Sequence, residues 1–316
     1  MKIFKKIIKK FLTKIRNFLI RDLDSNINKL LMLNAQIIAN NKWGGEEENK
    51  EMQKELFIED FEFSIYSQNG EDGILDFLIT YLNLDSPKSP YPKAFIEFGV
   101  QNYLESNTRF LLKKRNWKGL ILDSSFENIN YIKNDEIYWR FDIEAKEKFI
   151  TKNNINQIIN SYLESKKIDN VALLSIDIDG VDYFIWEEIE IVPAIVVIEY
   201  NALFGIQSIC IPYRDDFDRF KSHHSGLYFG ASIEALIQLA AKKQYKFVGA
   251  DSSGTNLFFI HNSFKEKIKF IKTHPLKDYC TRHNVRQSRD KYGNLTYKSI
   301  LEMKDEIMQF HQKGKE

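Results

Sequence analysis

The chain has 316 residues, and its 45 lysine and arginine side chains nearly balance its 44 aspartates and glutamates, giving a net charge of +1. That length accommodates one large domain with additions or two small ones, and the charge excludes a general attraction to nucleic acid. Cys210 and Cys280 lack metal-type spacing and favour a reducing compartment, with a disulfide left open. Residues 1–21 carry eight basic side chains and no acidic one, which leaves −7 for the remainder.

The N-terminal segment predicts a basic amphipathic helix. Its apolar residues share one helical face: Phe4, Ile7, Ile8, Phe11, Leu12, Ile15, Phe18 and Leu19. Such a helix can lie on an anionic membrane surface, or its apolar face can pack on the domain or on a second subunit. It has no apolar run long enough to span a membrane. We expect a helical extension over residues 1–56 in a cytoplasmic protein, with peripheral contact to the inner membrane face as the favoured role.

The central pattern runs from Lys93 to Asp123 and reads as strand, tight turn, helix and strand. Before it, the cluster S-Q-N-G-E-D-G at residues 67–73 predicts a turn and a helix start. Ala94–Phe98 is the first predicted strand, Thr108–Lys114 the helix, and Leu120–Leu122 the second strand. The acid that follows the second strand of such a unit can bind the hydroxyl groups of a ribose.

The turn in this unit lacks two of the glycines of a dinucleotide-binding loop. Gln101 and Tyr103 stand where further glycines would let a pyrophosphate approach the backbone, and Gly99 is the one glycine present. A ligand with ribose and adenine but no phosphates would not need them. The pattern therefore favours S-adenosylmethionine over a dinucleotide.

Strands and helices continue to alternate after Asp123. Further strands are predicted over Ile137–Asp142, Val171–Ile176, Ala194–Ile198, Tyr245–Ala250 and Asn256–Ile260, with helices over Phe126–Ile132, Lys146–Lys166, Asp182–Ile189 and Ala231–Lys243. Alternating elements imply an α/β fold with a doubly wound, mostly parallel sheet, and the short turn between the last two strands implies one antiparallel strand. We assign residues 57–264 to this domain and residues 265–316 to a C-terminal extension.

Acidic residues follow five of the predicted strands. They are Glu97, Asp123, Asp142, Asp177 and Glu199. A single such acid is as easily a helix cap as a ligand, but carboxylates gathered at one sheet edge repel one another unless a ligand or cation is bound. We expect Asp123 at the ribose and Asp142 at the adenine amine of the cofactor.

A metal site and a base are predicted beyond the fourth strand. Asp177, Asp179 and Glu199 offer hard oxygen ligands that suit Mg²⁺ or Mn²⁺, although Asp179 with the following glycine also fits a plain turn. His223 and His224 lie in the long connection after the fifth strand, where a histidine could accept a proton or simply be exposed. We predict Asp179 or His224 as the catalytic base.

Taken together, these segments resemble the FkbM-like S-adenosylmethionine-dependent methyltransferases, which have a class I, Rossmann-like fold. The likeness covers roughly residues 62–262 and includes YSQNGEDGIL, IEFGVQNYLESNTRFLLKKRNWKGLILD, LLSIDIDGVDYFIW, VVIEYN and YFGASIEALIQLAAKKQYKFVGADSSGTNLFFI. It implies the strand order 3-2-1-4-5-7-6 with strand seven antiparallel. It also implies a cofactor cradle whose residues are Glu97, Gly99, Asn107, Asp123 and Asp142.

The resemblance implies methylation of a sugar hydroxyl, as in polysaccharide or antibiotic pathways. We therefore predict an O-methyltransferase acting on a nucleotide-linked sugar or a surface-polysaccharide precursor, with no nucleic-acid partner and with a homo-oligomer left open. Two other classes remain: a nicotinamide-dependent oxidoreductase on the same kind of sheet, and a non-catalytic, membrane-associated binding domain. The acceptor itself cannot be deduced from the fold.

Overall fold

Seven strands form one mixed sheet at the centre of the molecule. The computed structural model describes residues 55–282 and 287–314, together with Leu30. The strands are β1 (Ala94–Phe98), β2 (Lys118–Asp123), β3 (Ile143–Glu147), β4 (Leu173–Ile176), β5 (Ile195–Glu199), β6 (Tyr245–Ala250) and β7 (Asn256–His261). Their order is β3-β2-β1-β4-β5-β7-β6, and β7 runs antiparallel to both of its neighbours. The predicted strand order and the antiparallel seventh strand are confirmed.

Helices connect the strands and cover the sheet. They are α1 (Glu71–Leu82), α2 (Arg109–Arg115), α3 (Phe126–Asn134), α4 (Glu136–Arg140), α5 (Ile155–Lys166), α6 (Asp182–Glu188), α7 (Arg219–Ser222), α8 (Ile233–Lys242), α9 (Leu276–Tyr279) and α10 (Lys304–Lys313). Every residue of β1 and β4 is buried, because helices cover the central strands of such a sheet on both faces. The sequences of these strands are therefore continuous apolar runs, without the alternation of apolar and polar residues that a half-exposed strand shows.

The third strand begins later than predicted. Ile137–Asp142 is not a strand; most of it forms helix α4, and β3 follows it. The Asp135 side chain accepts a hydrogen bond from the Ile137 amide and caps this helix, a signal that the apolar alternation concealed. Likewise, the helix predicted from Lys146 starts only at Ile155, because the chain first completes β3 and then a loop.

The predicted turn and helix start before β1 are confirmed. The Asp72 carboxylate accepts hydrogen bonds from the amides of residues 65–67, and the Ser67 hydroxyl accepts one from the Asp72 amide. A Cβ at Gly73 would lie 2.1 Å from the Phe61 carbonyl oxygen, so only glycine allows α1 to pack this closely on the preceding 3-10 turn. This arrangement fixes the segment that leads to Gln68 and Asn69.

The C-terminal residues pack on the same core as the sheet. Tyr279, Met303 and Ile307 are buried in its main apolar cluster, and the Tyr200 hydroxyl donates a hydrogen bond to the Tyr279 carbonyl oxygen. Cys210 and Cys280 are free thiols. The helical extension expected over residues 1–56 lies almost wholly outside the described residues. No helix within them is long and apolar enough to cross a membrane.

Candidate functional site

A cavity of about 700 Å³ opens at the carboxyl edge of the parallel strands. It lies where the chain turns from one half of the sheet to the other, between β1 and β4, which is the usual place for a ligand in an open α/β sheet. Its lining residues come from the turn before α1, from the ends of β1 to β5 and the loops that follow them, and from later segments: Gln68, Asn69, Gly99, Gln101, Leu122, Asp123, Ser124, Lys148, Phe149, Ile150, Asp177, Ile178, Asp179, Gly180, Val181, Glu199, Asp215, Phe217, Arg219, Phe220, Thr255 and Gln287.

The loop after β1 forms one wall of the cavity. Gly99 has a φ of 74°, and a Cβ there would lie 1.6 Å from the Asp177 carbonyl oxygen, so the backbones of two strand ends meet at this point. Gln101 and Tyr103 also have positive φ, at 48° and 60°. The loop thus has left-handed backbone at both places where the sequence lacks the expected glycines.

Asp123 joins this loop to the tip of β2. Its Oδ2 accepts a hydrogen bond of 2.7 Å from the Gln101 amide, and its Oδ1 accepts bonds of 2.8 Å from the Ser125 amide and 3.0 Å from the Asn128 side chain. A carboxylate can accept about four hydrogen bonds, so one position on Oδ2 remains for a ligand. Asp123 lines the cavity, as predicted for a ribose-binding residue.

Glu97 and Asn107 lie behind the cavity wall and are not among its lining residues. The Glu97 carboxylate accepts hydrogen bonds from the Asn107 amide (2.8 Å), the Thr108 amide (3.2 Å) and the Thr108 hydroxyl (2.5 Å). It therefore satisfies the amide of Thr108, the N-cap of α2, and the amide of the residue before it. Asn107 donates its side-chain hydrogen bond to the Ser175 hydroxyl of β4. Both residues position the wall, and the structure gives neither the direct contact predicted with a cofactor.

Asp142 is not at the cavity. It precedes β3, so it lies at the amino end of that strand, where its carboxylate is exposed and pairs with Lys166. The prediction that Asp142 contacts adenine is wrong because it placed the third strand before Asp142, whereas β3 follows this residue. The residues that follow β3 and do line the cavity are Lys148, Phe149 and Ile150. The Phe149 side chain is 54% exposed and offers an aromatic face at this point.

The structure brings Asp177, Asp179 and Glu199 together. Oxygen atoms from the three carboxylates lie within 4.8 Å of one another, at the ends of β4 and β5. Burial is the main cause that raises the pKa of Asp177 well above its ordinary value, and repulsion from Asp179 adds to it. Burial and repulsion from Asp177 raise the pKa of Glu199 in the same way. Glu199 Oε2 is buried without a hydrogen-bond partner among the described residues. This group of oxygens could hold a cation or share a proton.

Two further residues shape this acidic cluster. The Asp182 carboxylate accepts hydrogen bonds from the Ile178 amide (2.8 Å) and the Gly180 amide (2.9 Å), which fixes the turn that carries Asp179. Arg219 forms an ion pair with Asp179, while its guanidinium lies 4.6 Å from the centre of the Phe229 ring. The positive charge of Arg219 partly offsets the three carboxylates.

His224 is not among the residues that line the cavity. It lies against the C-terminal helix, with its Nε2 atom 3.4 Å from Glu306 Oε1. His223 is beside it, with its Nδ1 atom 2.8 Å from the Ser225 hydroxyl. The geometry therefore does not support the prediction that His224 is the base.

Sequence reasoning missed several residues of the cavity. Lys148 and Phe149 would have been found if β3 had been placed correctly, since they follow its carboxyl end. Phe217 lies just before helix α7 and Arg219 and Phe220 lie in its single turn, which is too short for a periodic pattern to indicate which side chains turn inward. For these three residues the sequence contains no signal that we can identify.

Comparison with known proteins gives similarity at the level of backbone only. A search against sequence models of protein families finds no match, and a search of curated proteins finds none either. Among solved structures, the calicheamicin-biosynthesis methyltransferase CalO1 with bound SAH is 12% identical, with a TM-score of 0.32, covering 60% of this chain and 54% of that one.

Two other structures show the same degree of likeness. A SAM-dependent methyltransferase from Anabaena variabilis is 12% identical, with a TM-score of 0.36, covering 62% of this chain and 86% of that one. A pericyclic reaction enzyme is 13% identical, with a TM-score of 0.34, covering 57% and 46%. The chain spans about half the length of that enzyme and of CalO1. Such low scores leave the chemistry to be inferred from the cavity itself.

Proposed function

We propose that the protein is an S-adenosylmethionine-dependent O-methyltransferase. The observation that carries the proposal is the cavity between β1 and β4, where Asp123 and the left-handed loop after Gly99 face the carboxylates of Asp177, Asp179 and Glu199. One side is thus suited to a nucleoside and the other to an acceptor that must lose a proton.

The residues around Asp123 fit the adenosine part of this cofactor. The free position on Asp123 Oδ2 can accept a hydrogen bond from a ribose hydroxyl, while the Gln101 amide holds the carboxylate in place. Phe149 offers a face on which a purine can stack. Gln101 presents a side chain to the cavity instead of open backbone, so the loop favours a nucleoside over a pyrophosphate.

The acidic cluster fits the deprotonation of a hydroxyl group. When bound, the cofactor supplies an activated methyl group, so the protein's task is to orient the acceptor oxygen and remove its proton. Asp177 and Glu199 have raised pKa values, which makes either one, when ionised, a stronger base than an ordinary carboxylate. In the absence of a cation, we assign this role to the Asp177–Glu199 pair, in place of His224.

The same three carboxylates fit a divalent cation. Oxygen ligands that share one Mg²⁺ at about 2.1 Å lie roughly 3–4.2 Å apart, and the three carboxylate oxygens here are all within 4.8 Å of one another. The unpartnered Oε2 atom of Glu199 is a further reason to place a cation there. Asp177, Asp179 and Glu199 would hold Mg²⁺ or Mn²⁺, which would lower the pKa of an acceptor hydroxyl.

We propose a sugar hydroxyl as the acceptor, on a nucleotide-linked sugar or a polysaccharide precursor. Carboxylates can accept hydrogen bonds from neighbouring hydroxyl groups, and the half-exposed ring of Phe220 offers an apolar face for the carbon side of a sugar ring. Lys148 adds a positive charge that suits a phosphate. These features support the acceptor class that the sequence resemblance implies.

Calorimetry with S-adenosylmethionine tests the cofactor assignment. Asp123→Asn should weaken binding at least tenfold, because it removes a charge-assisted hydrogen bond of about 1.5–3 kcal/mol while keeping the side chain's shape. Asp142→Asn is the matched control. It makes the same change at the amino ends of the parallel strands, away from the cavity, and should leave affinity unchanged. Equal affinity of wild type and Asp123→Asn for S-adenosylmethionine would contradict the assignment of Asp123 to the ribose. Binding of NADH in place of S-adenosylmethionine would favour a nicotinamide-dependent oxidoreductase.

A cation titration tests the second half of the site. Mn²⁺ binding, followed by electron paramagnetic resonance on the metal-free protein, should weaken at least tenfold in Glu199→Gln. Asp215→Asn, which changes another lining carboxylate outside the cluster, should bind Mn²⁺ as the wild type does. If methyl transfer survives exhaustive EDTA treatment and Mn²⁺ neither binds nor stimulates, the carboxylates act as a base without a metal.

A further inference from the structure

A second cluster of metal-binding side chains lies outside the cavity. His223 and His224 follow helix α7, and Glu306 lies in the first turn of helix α10. Ligand atoms of all three side chains lie within 4.8 Å of one another. None of the three is among the residues that line the cavity. The function proposed above leaves this cluster unused.

Two distances in the cluster are close to the edges of a tetrahedral zinc site. Glu306 Oε1 lies 3.4 Å from His224 Nε2 and 3.7 Å from His223 Nε2. Two ligands bound to one Zn²⁺ at about 2.0–2.1 Å in tetrahedral geometry are roughly 3.3 Å apart. Shifts of a few tenths of an ångström would therefore bring Glu306 and each histidine to this spacing, and the ligand atoms of the two histidines are within 4.8 Å of each other.

Ser225 holds the ring of His223 in place. The Nδ1 atom is 2.8 Å from the Ser225 hydroxyl and accepts a hydrogen bond of 3.3 Å from the Ser225 amide. Binding a metal through Nε2 places the ring proton on Nδ1, which then donates to the hydroxyl and gives up the amide contact. The His223 ring also packs edge-on against Phe310, with centroids 4.9 Å apart. The ring is thus held in one orientation, as metal-binding histidines usually are.

A simple ion pair explains the cluster less well. Two imidazole rings lie 4.3 Å apart and share one carboxylate, so they cannot both carry a positive charge without repelling each other. Two neutral imidazoles that bind one cation avoid this repulsion. His224 and Glu306 are partly exposed, which leaves a path for a cation and space for a water ligand.

The ligand types decide between metals. Two imidazoles and one carboxylate suit Zn²⁺ and related transition metals, whereas Mg²⁺ prefers an all-oxygen site such as the one in the cavity. We propose that His223, His224 and Glu306 bind a Zn²⁺ ion that fastens helix α10 to the end of helix α7. Because α7 carries Arg219 and Phe220 into the cavity, this ion steadies one cavity wall from outside.

The test uses the full-length protein after removal of metals by chelation. Co²⁺, a spectroscopic substitute for Zn²⁺, should bind with one equivalent and give the visible bands of a tetrahedral site, and Zn²⁺ should displace it. His224→Ala and Glu306→Gln should each weaken Zn²⁺ binding at least about tenfold. Zn²⁺ should also raise the Tm of the wild type but not of His224→Ala.

Two controls separate this site from others. His274 is also 38% exposed and faces a single glutamate, Glu59, at 4.0 Å, so His274→Ala should keep full Zn²⁺ affinity. The double variant Asp177→Asn, Glu199→Gln should keep the Co²⁺ bands. The proposal is overturned if no Zn²⁺ binds more tightly than about 100 µM, if His224→Ala binds it within tenfold of wild type, or if the bands disappear with the cavity carboxylates instead of the histidines.

Discussion

The titration of Glu97 should make the stability of the protein depend on pH. The side chain is 4% exposed, and its burial raises the pKa of the carboxyl from 4.5 to about 7. Between those two values the folded protein retains a proton that the unfolded chain has released, so the free energy of unfolding falls as pH rises. From about pH 5 to pH 8 this single group should cost roughly 2–3 kcal/mol.

The variant Glu97→Gln isolates this effect. A glutamine cannot titrate, and its amide leaves the Asn107 or Thr108 amide poorly paired, a cost of about 1–3 kcal/mol that does not depend on pH. Urea unfolding of both proteins across this range should show the wild type losing its advantage as pH rises, by about 2–3 kcal/mol in all. Asp142→Asn, at an exposed site, should follow the wild-type curve. A constant difference between Glu97→Gln and wild type would refute the reasoning.

Three further predictions concern the cavity and the N-terminus. Gly99→Ala should lower the free energy of unfolding, measured in urea, by more than Gly230→Ala does. Both glycines have positive φ, but only a Cβ at Gly99 would meet backbone, namely the Asp177 carbonyl oxygen. Equal losses in the two variants would contradict this. Arg219→Gln should bind Mn²⁺ severalfold more tightly, as followed by paramagnetic resonance, since it removes a competing positive charge; weaker binding would contradict the cation site. Full-length protein should sediment with anionic liposomes at low salt and be released by salt, whereas a chain lacking residues 1–22 should not; if neither sediments, the segment belongs to the fold or an interface.

The fold was predictable because most strands are short apolar runs with clear ends. The predicted and observed bounds of β1 and β6 coincide, and Gly99 and Asp251 mark the points where these strands stop. The third strand was not predicted correctly, because apolar residues alternate all the way from Ile137 to Ala145. A strand fits the first part of this segment as well as the last part. The local sign of the helix is the capping hydrogen bond that the Asp135 carboxylate accepts from the Ile137 amide.

The site was predictable in part, because strand-end carboxylates look alike in a sequence. Asp123, Asp177 and Glu199 reach the cavity, whereas Glu97 points back toward the start of α2. The direction in which a strand-end carboxylate turns depends on which free amides are nearby. For Glu97 these amides belong to Asn107 and Thr108, in a different element of the fold. The partners of His224 and Arg219 are likewise set by tertiary contacts that no local pattern records.

The loop after β1 shows how a missing glycine can be informative. Gln101 and Tyr103 adopt left-handed backbone at a cost of about 1–2 kcal/mol each, which surrounding contacts must offset. The buried Tyr103 hydroxyl lies 2.9 Å from Thr108 Oγ1, and Arg109 donates a hydrogen bond of 2.6 Å to the Tyr103 carbonyl oxygen. Gln101 in turn donates its amide hydrogen to Asp123. The loop therefore has its turn built in before any ligand arrives. Of the two side chains, that of Tyr103 is buried, whereas that of Gln101 lines the cavity in the space that a pyrophosphate would need. This favours a nucleoside without phosphates over a dinucleotide.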